Sequence, residues 1–249
     1  MTTVRFLLLA FLLGAQDPEK EMEAREFQGA GGGKLLYRLC RPRGVEAGKK
    51  QPLLVFLHGA GERGDDNRKQ LKNCVRNLLP VLEKNSCILV APQCPNGRRW
   101  VEVNWNAPAH DTPEKPSEPM GLLIELLAAL RKELPVDEKR IYATGLSMGG
   151  YGTWDLILRQ PELFAAAVPL CGGGDEKRAA AIARIPQWIF HGDKDTAVPT
   201  ARSRNMVEAL KKAGGEPKYT EYPGVGHNCW DKAYAEPELF PWLFAQKRP

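Results

Sequence analysis

The chain has 249 residues, enough for one large α/β domain or two small ones with a sizeable core. A 43% hydrophobic and 26% charged composition excludes a disordered chain. The net charge of +5 is scattered in short clusters such as Arg41–Pro42–Arg43 and Lys49–Lys50, which read as solvated surface and not as a nucleic-acid-binding patch.

The chain opens with Arg5, the apolar run 6–13 and the small residues Gly14 and Ala15. This pattern has the make-up of a secretory signal peptide over residues 1–15 and is too short to span a bilayer. It carries the expectation of a secreted or periplasmic protein without a stable membrane anchor, or otherwise a cytoplasmic one. The six cysteines show neither C-x-x-C nor metal-ligand spacing, so no metal site is expected. Export would allow one or two disulfides among them; Cys87 and Cys171 read as buried thiols.

Residues 16–33, charged and then glycine-rich, read as a linker, with one catalytic-size domain over 34–249. The alternating run 34–40 predicts an edge strand. Leu53–Leu57 is continuously apolar and predicts a strand buried on both faces, as in a parallel sheet. It runs into His58–Gly59–Ala60–Gly61–Glu62–Arg63–Gly64, a turn of the sort that builds sites at strand C-termini. Helical spacing over 65–84 is expected to break or kink at Pro80. Residues 87–91 predict another buried strand. The Pro- and Trp-rich stretch 92–116 predicts an irregular loop whose Trp100 and Trp105, together with Trp230 further on, are candidates to line a substrate pocket. Ser117 and Pro119 mark the start of a helix with a leucine stripe.

The stretch Arg140–Gly150 reads as a strand, a Gly-x-Ser-x-Gly turn and a helix. Such a turn strains its middle residue, Ser147, and pushes the side chain clear of the sheet beside a helix N-terminus. Strands are expected over 164–170, 187–190 and 218–222, and helices over 200–213 and within 230–244. The alternation predicts a mainly parallel sheet covered on both faces.

A serine nucleophile needs a base, and the base needs an orienting carboxylate. Of the four histidines, His110 lies in a long loop, while His58 and His191 directly follow buried strands and read as structural. His227, in the Gly-rich loop after the last strand, is the base candidate. Asp195 is the carboxylate candidate, with Asp193 shaping the turn. The N–H groups of Ala60 and Met148 are the candidate oxyanion donors. Glu62 and Arg63 are candidates to pair within that loop.

The segments Leu57–Gly64, Gly145–Gly150, Phe190–His191–Gly192 with Asp195 and Val198–Pro199, and Gly226–His227 resemble α/β-hydrolase esterases. The resemblance is to the phospholipase/carboxylesterase and dienelactone-hydrolase type, including poly(3-hydroxybutyrate)-depolymerase-like esterases. It covers about residues 34–246 and implies an α/β-hydrolase fold, a Ser147–Asp195–His227 triad, an acyl-enzyme mechanism and no cofactor. It also implies a small or polymer-borne ester substrate at an open site without an inserted lid; it is silent on oligomeric state. Two other readings compete: a prolyl-oligopeptidase-type peptidase, which usually has a large extra domain these 249 residues have no room for, and a non-enzymatic hydrolase-fold binding module, which normally lacks a triad member.

Overall fold

The computed structural model describes residues 17–46 and 48–249; the expected signal segment 1–15 lies outside them. Among the described residues the strands are β1 (Glu23–Gln28), β2 (Lys34–Cys40), β3 (Gln51–Leu57), β4 (Ile88–Gln93), β5 (Val136–Leu146), β6 (Ala166–Leu170), β7 (Trp188–Gly192) and β8 (Lys218–Tyr222). They form one eight-stranded sheet in the order β1-β2-β4-β3-β5-β6-β7-β8. β3 to β8 run parallel, while β2 is antiparallel to both β1 and β4. The helices are α1 (Pro18–Glu21), α2 (Val75–Lys84), α3 (Glu118–Glu133), α4 (Met148–Arg159), α5 (Ala201–Lys212), α6 (Trp230–Tyr234) and α7 (Leu239–Ala245).

β3 shows why the sheet is covered on both faces. Leu53, Val55 and Leu57 point into one apolar layer with α3, α4 and α5, and Leu54 and Phe56 into the other with α2, α6 and α7. Successive strand side chains alternate faces, so a run with no polar position needs two cores. All five residues are fully buried. Ser117 accepts a hydrogen bond from the Met120 N–H (3.3 Å) and caps α3, as expected.

Four sequence expectations about the elements need correction. Residues 16–33 are not simply a linker: 23–28 pair with β2 along their whole length, and Gly29–Gly33 is the hairpin turn, closed by Gly29 N–H to Gly33 O at 2.8 Å. β2 is therefore an inner strand and β1 the edge. The helical spacing from residue 65 resolves into a loop, a short 3₁₀ turn at Lys69–Leu71, and an α-helix only from Val75, because Cys74 takes φ 67°. That helix continues through Pro80, which is solvent-exposed, as is Arg76 four residues earlier whose carbonyl loses its partner. No helix among the described residues is long and apolar enough to cross a membrane. All six cysteines are unpaired thiols.

Candidate active site

The C-terminal ends of β3, β5, β7 and β8 bring four loops together. At the end of β5 the chain reverses into α4 through Ser147, which holds φ 54°, ψ −118°. This is a costly conformation for a residue with a side chain, and such strain gathers at functional sites. The reversal requires glycine on both sides. A Cβ on Gly145 would lie 2.4 Å from the Gly149 carbonyl oxygen, and one on Gly149 would lie 1.9 Å from the Leu57 carbonyl oxygen. The elbow and the end of β3 therefore touch backbone to backbone.

His227 Nε2 lies 2.8 Å from Ser147 Oγ, and His227 Nδ1 lies 2.7 Å from Asp195 Oδ2. The Asp195 carboxylate has no exposed surface, while the His227 ring keeps 26% of its own. Asp195 Oδ1 accepts the N–H groups of Ala197 (2.8 Å) and Val198 (2.9 Å). Burial alone would raise the Asp195 pKa, but hydrogen bonds from His191, His227 and the Val198 N–H outweigh it and hold the carboxyl well below the ordinary carboxylate range. Asp193, expected to shape its own turn, instead accepts the Gly224 N–H at 2.7 Å and ties the β7 loop to the loop that carries His227.

Ala60 is the first residue of a 3₁₀ turn and Met148 the first of α4, so neither N–H has an acceptor within its own helix. The two turns are in contact, since a Cβ on Gly59 would meet Leu146 Cδ1 at 2.9 Å. The Ala60 turn is braced from below. His58 Nδ1 bonds the Gly59 carbonyl (2.6 Å), and His58 Nε2 accepts the Cys94 N–H (2.9 Å). Burial, against that backbone bond, lowers the His58 pKa to about 4, so the ring is a neutral prop, as the sequence indicated. Glu62 and Arg63 do not pair with each other. Glu62 accepts from Asn73 (2.7 Å), and Arg63 donates to the Ala60 carbonyl (2.9 Å).

The tryptophan candidates divide. Trp100 is fully buried and donates Nε1–H to the His58 carbonyl at 3.1 Å, so it supports the Ala60 turn and does not line a pocket. Trp230 is half-buried and meets the His227 ring edge-on, with centroids 5.6 Å apart. Trp105 is half-buried against an apolar wall of Val101, Val103, Tyr151 and Val198, with the Arg99 guanidinium 4.4 Å above its ring. Tyr151 follows Ser147 by one helical turn and Val198 follows Asp195 by three residues, so this wall adjoins the serine.

Two arginines, Arg202 buried and Arg159 half-buried, hold the 94–117 loop in place. Arg159 donates to the carbonyls of Pro113 (2.8 Å) and Glu114 (3.1 Å). Arg202 donates to the Pro108 carbonyl (2.7 Å) and the Gly174 carbonyl (2.8 Å), and reaches His110 Nδ1 (2.6 Å). Burial and that guanidinium lower the His110 pKa to about 4, and its Nδ1 is occupied by Arg202.

Two residues beside the serine were read from sequence only as structural. Cys171 Sγ lies within 4.8 Å of ligand atoms of Asp195 and His227. Burial pushes its thiol pKa well up, and the other two groups are bonded to each other, so this is a neutral thiol against a hydrogen-bonded pair and not a metal centre. His191 Nε2 touches Asp195 Oδ2 at 3.0 Å. Its position four residues before Asp195 was visible, but nothing in the sequence says the ring turns back toward the carboxylate.

The sheet order, the strained serine at a strand-to-helix elbow and the loops that meet there define an α/β-hydrolase. The chain belongs to the phospholipase/carboxylesterase family, whose pattern matches residues 45–236. It is similar to the crystal structure of a thermostable esterase, with TM-score 0.81 and 39% identity over 92% of this chain; it spans 64% of that longer chain. It is 22% identical over 205 residues to a rice (Oryza sativa subsp. japonica) protein named "Probable carboxylesterase", covering 75% of each chain. The acylaminoacyl peptidase of Pyrococcus horikoshii shares the fold, at TM-score 0.66 and 19% identity, over 92% of this chain and 42% of its own.

Proposed function

We propose that the protein is a serine carboxylic-ester hydrolase working through an acyl-enzyme. Ser147 Oγ attacks the acyl carbon while His227 Nε2 takes its proton. Asp195, ionised and accepting from Nδ1, holds the imidazole in the tautomer with a free Nε2 lone pair and stabilises the imidazolium that forms. The negative charge on the former carbonyl oxygen is received by the Ala60 and Met148 N–H groups. His227 returns the proton to the departing alcohol. Water then attacks the acyl carbon by the same route, and the carboxylic acid leaves with Ser147 restored.

The observation that carries this reading is the unbroken chain of 2.8 Å and 2.7 Å contacts from Ser147 through His227 to a carboxylate with no access to water. The segment between β6 and β7 holds only a 3₁₀ helix, Glu176–Ala181, which favours an exposed or polymer-borne ester over one that needs enclosure. The test is turnover of p-nitrophenyl esters of graded chain length beside a proline-containing p-nitroanilide. It is run with a fluorophosphonate label mapped to its peptide and with Ser147→Ala. Label on Ser147, ester turnover and its loss in the folded variant are expected. Turnover retained by Ser147→Ala, or preferred cleavage of the anilide, overturns the proposal.

A further inference from the structure

The Asp195 carboxylate serves two imidazoles. His227 Nδ1 and His191 Nε2 both converge on Oδ2, at 2.7 Å and 3.0 Å. The His191 ring is completely buried on β7. Its Nε2 faces Asp195 Oδ2 and also the Val198 carbonyl at 3.1 Å. Both are acceptors, so Nε2 carries the hydrogen and Nδ1 is the acceptor. Ser203 on α5, itself buried, supplies the matching donor with its Oγ 2.7 Å from Nδ1. The tautomer is therefore set by three neighbours on two elements.

A donor on the same oxygen has a defined electrostatic effect. It draws off part of the carboxylate charge that would otherwise favour the protonated form of His227. It also fixes which way Oδ2 faces, and with it the ring that must take the serine proton. We infer that His191 is a positioning residue for the proposed ester hydrolysis: its Nε2–H holds Asp195 Oδ2 toward His227 and keeps His227 available as a free base at lower pH.

Other groups around the cluster do not compete over the working pH range. Cys171, from the loop after β6, and Tyr151, on α4, both have pKa values raised first by burial. Glu221, the β8 partner of His191 in the sheet, is lowered to about 2, first by its hydrogen bond from Arg204 of α5 and with help from Tyr219. Asp193 and Lys194, on the same loop as Asp195, bond to the loop after β8 through the Asp193 carboxylate and the Lys194 N–H. Arg202 of α5 lowers the Tyr151 pKa, against the larger effect of burial. Ser203 does not titrate.

The experiment is the pH profile of kcat/KM with p-nitrophenyl acetate for wild type, His191→Leu, His191→Gln and Ser203→Ala, with thermal unfolding of each. In His191→Leu the acid limb is expected to move up by roughly half to one pH unit, with kcat on the plateau down roughly three- to tenfold and KM within about twofold. Gln, whose amide N–H can stand near the Nε2 position, should return the limb to the wild-type position. Ser203→Ala, which frees the tautomer, should shift it in the same direction by about half as much. A merely structural role lowers the melting temperature and leaves the limb where it is. An unmoved limb in folded His191→Leu overturns the inference, as does a Gln variant shifted as far as Leu; should Leu fail to fold, an unmoved limb in Ser203→Ala does the same. The His227 titration is also followed by ¹⁵N NMR of the imidazoles, which needs no turnover. Wild type inert toward esters refutes the proposed function, whereas an unmoved His227 titration in the variants refutes this inference.

Discussion

The substitution Asp195→Asn separates the orienting role of the carboxylate from its shape. The wild-type side chain accepts four hydrogen bonds: two backbone N–H groups on Oδ1 and two imidazoles on Oδ2. An amide cannot reproduce that set. If its oxygen faces the imidazoles, its NH₂ confronts the Ala197 and Val198 N–H groups. Leaving the buried Val198 N–H without an acceptor costs about 1–3 kcal/mol, while the Ala197 N–H is exposed and can turn to water. If its oxygen stays with the backbone, the NH₂ faces the rings, and His227 can accept at Nδ1 only by carrying its hydrogen on Nε2. The second arrangement spares the backbone, leaves the His191 Nε2–H to the Val198 carbonyl, and is the one expected. In it the nitrogen that should receive the serine proton is already occupied, and the loss of kcat/KM is about 10⁴-fold, near 5 kcal/mol of transition-state stabilisation. The assay is p-nitrophenyl acetate hydrolysis from pH 5 to 9 with a denaturation curve alongside. A folded variant that loses less than tenfold would refute the argument, because it would mean that the tautomer of His227 is set by something other than Asp195.

Gly149→Ala should destabilise the fold by about 3 kcal/mol or more and abolish activity, because its Cβ would lie 1.9 Å from one backbone oxygen and 2.8 Å from the next. Gly31→Ala, where the new Cβ meets nothing within 4 Å, is the control expected to unfold like wild type in a urea titration. Stability should also fall with acid before the carboxylates protonate. His58 has its pKa lowered from 6.5 to about 4, so the unfolded chain binds the proton more readily and stability rises with pH across that window. Lost on going from about pH 7 to 4, this contribution is about 3 kcal/mol. His58→Gln should lessen that slope to what His110 contributes in the same window, and a slope as steep as wild type would show that the titration belongs to another group.

Much of this arrangement was legible in the sequence because it depends on local constraints. The unbroken apolar run at 53–57 required a sheet covered on both faces. The glycines around Ser147 announced an elbow, and loops after strands could be assigned to one rim. What escaped depends on partners distant along the chain. β1 was hidden because Glu23 and Arg25 lie on an exposed edge strand that contributes little to the core, and pairing with β2 is a backbone event. Trp100 looked like pocket lining because it sits in a long polar loop, yet its indole is buried by a bond to the carbonyl of His58. Pro80 looked like a break or a kink; the helix runs through it, because an exposed helix face can lose one carbonyl's partner to water. His191 read as structural because it follows an apolar run, and it is buried within β7, but its bond to Asp195 depends on the path of the loop after β7.

The two arginine clamps on the 94–117 loop bear on how such a protein can diversify. Arg159 and Arg202 reach it mainly through main-chain oxygens, at Pro113, Glu114 and Pro108, and these are offered by whatever residue stands at each place. The stretch can therefore exchange its outward side chains while keeping its course. Exposed positions such as Asn104 and Asn106 can change without a new scaffold, and the Ser147, Asp195 and His227 loops are left untouched.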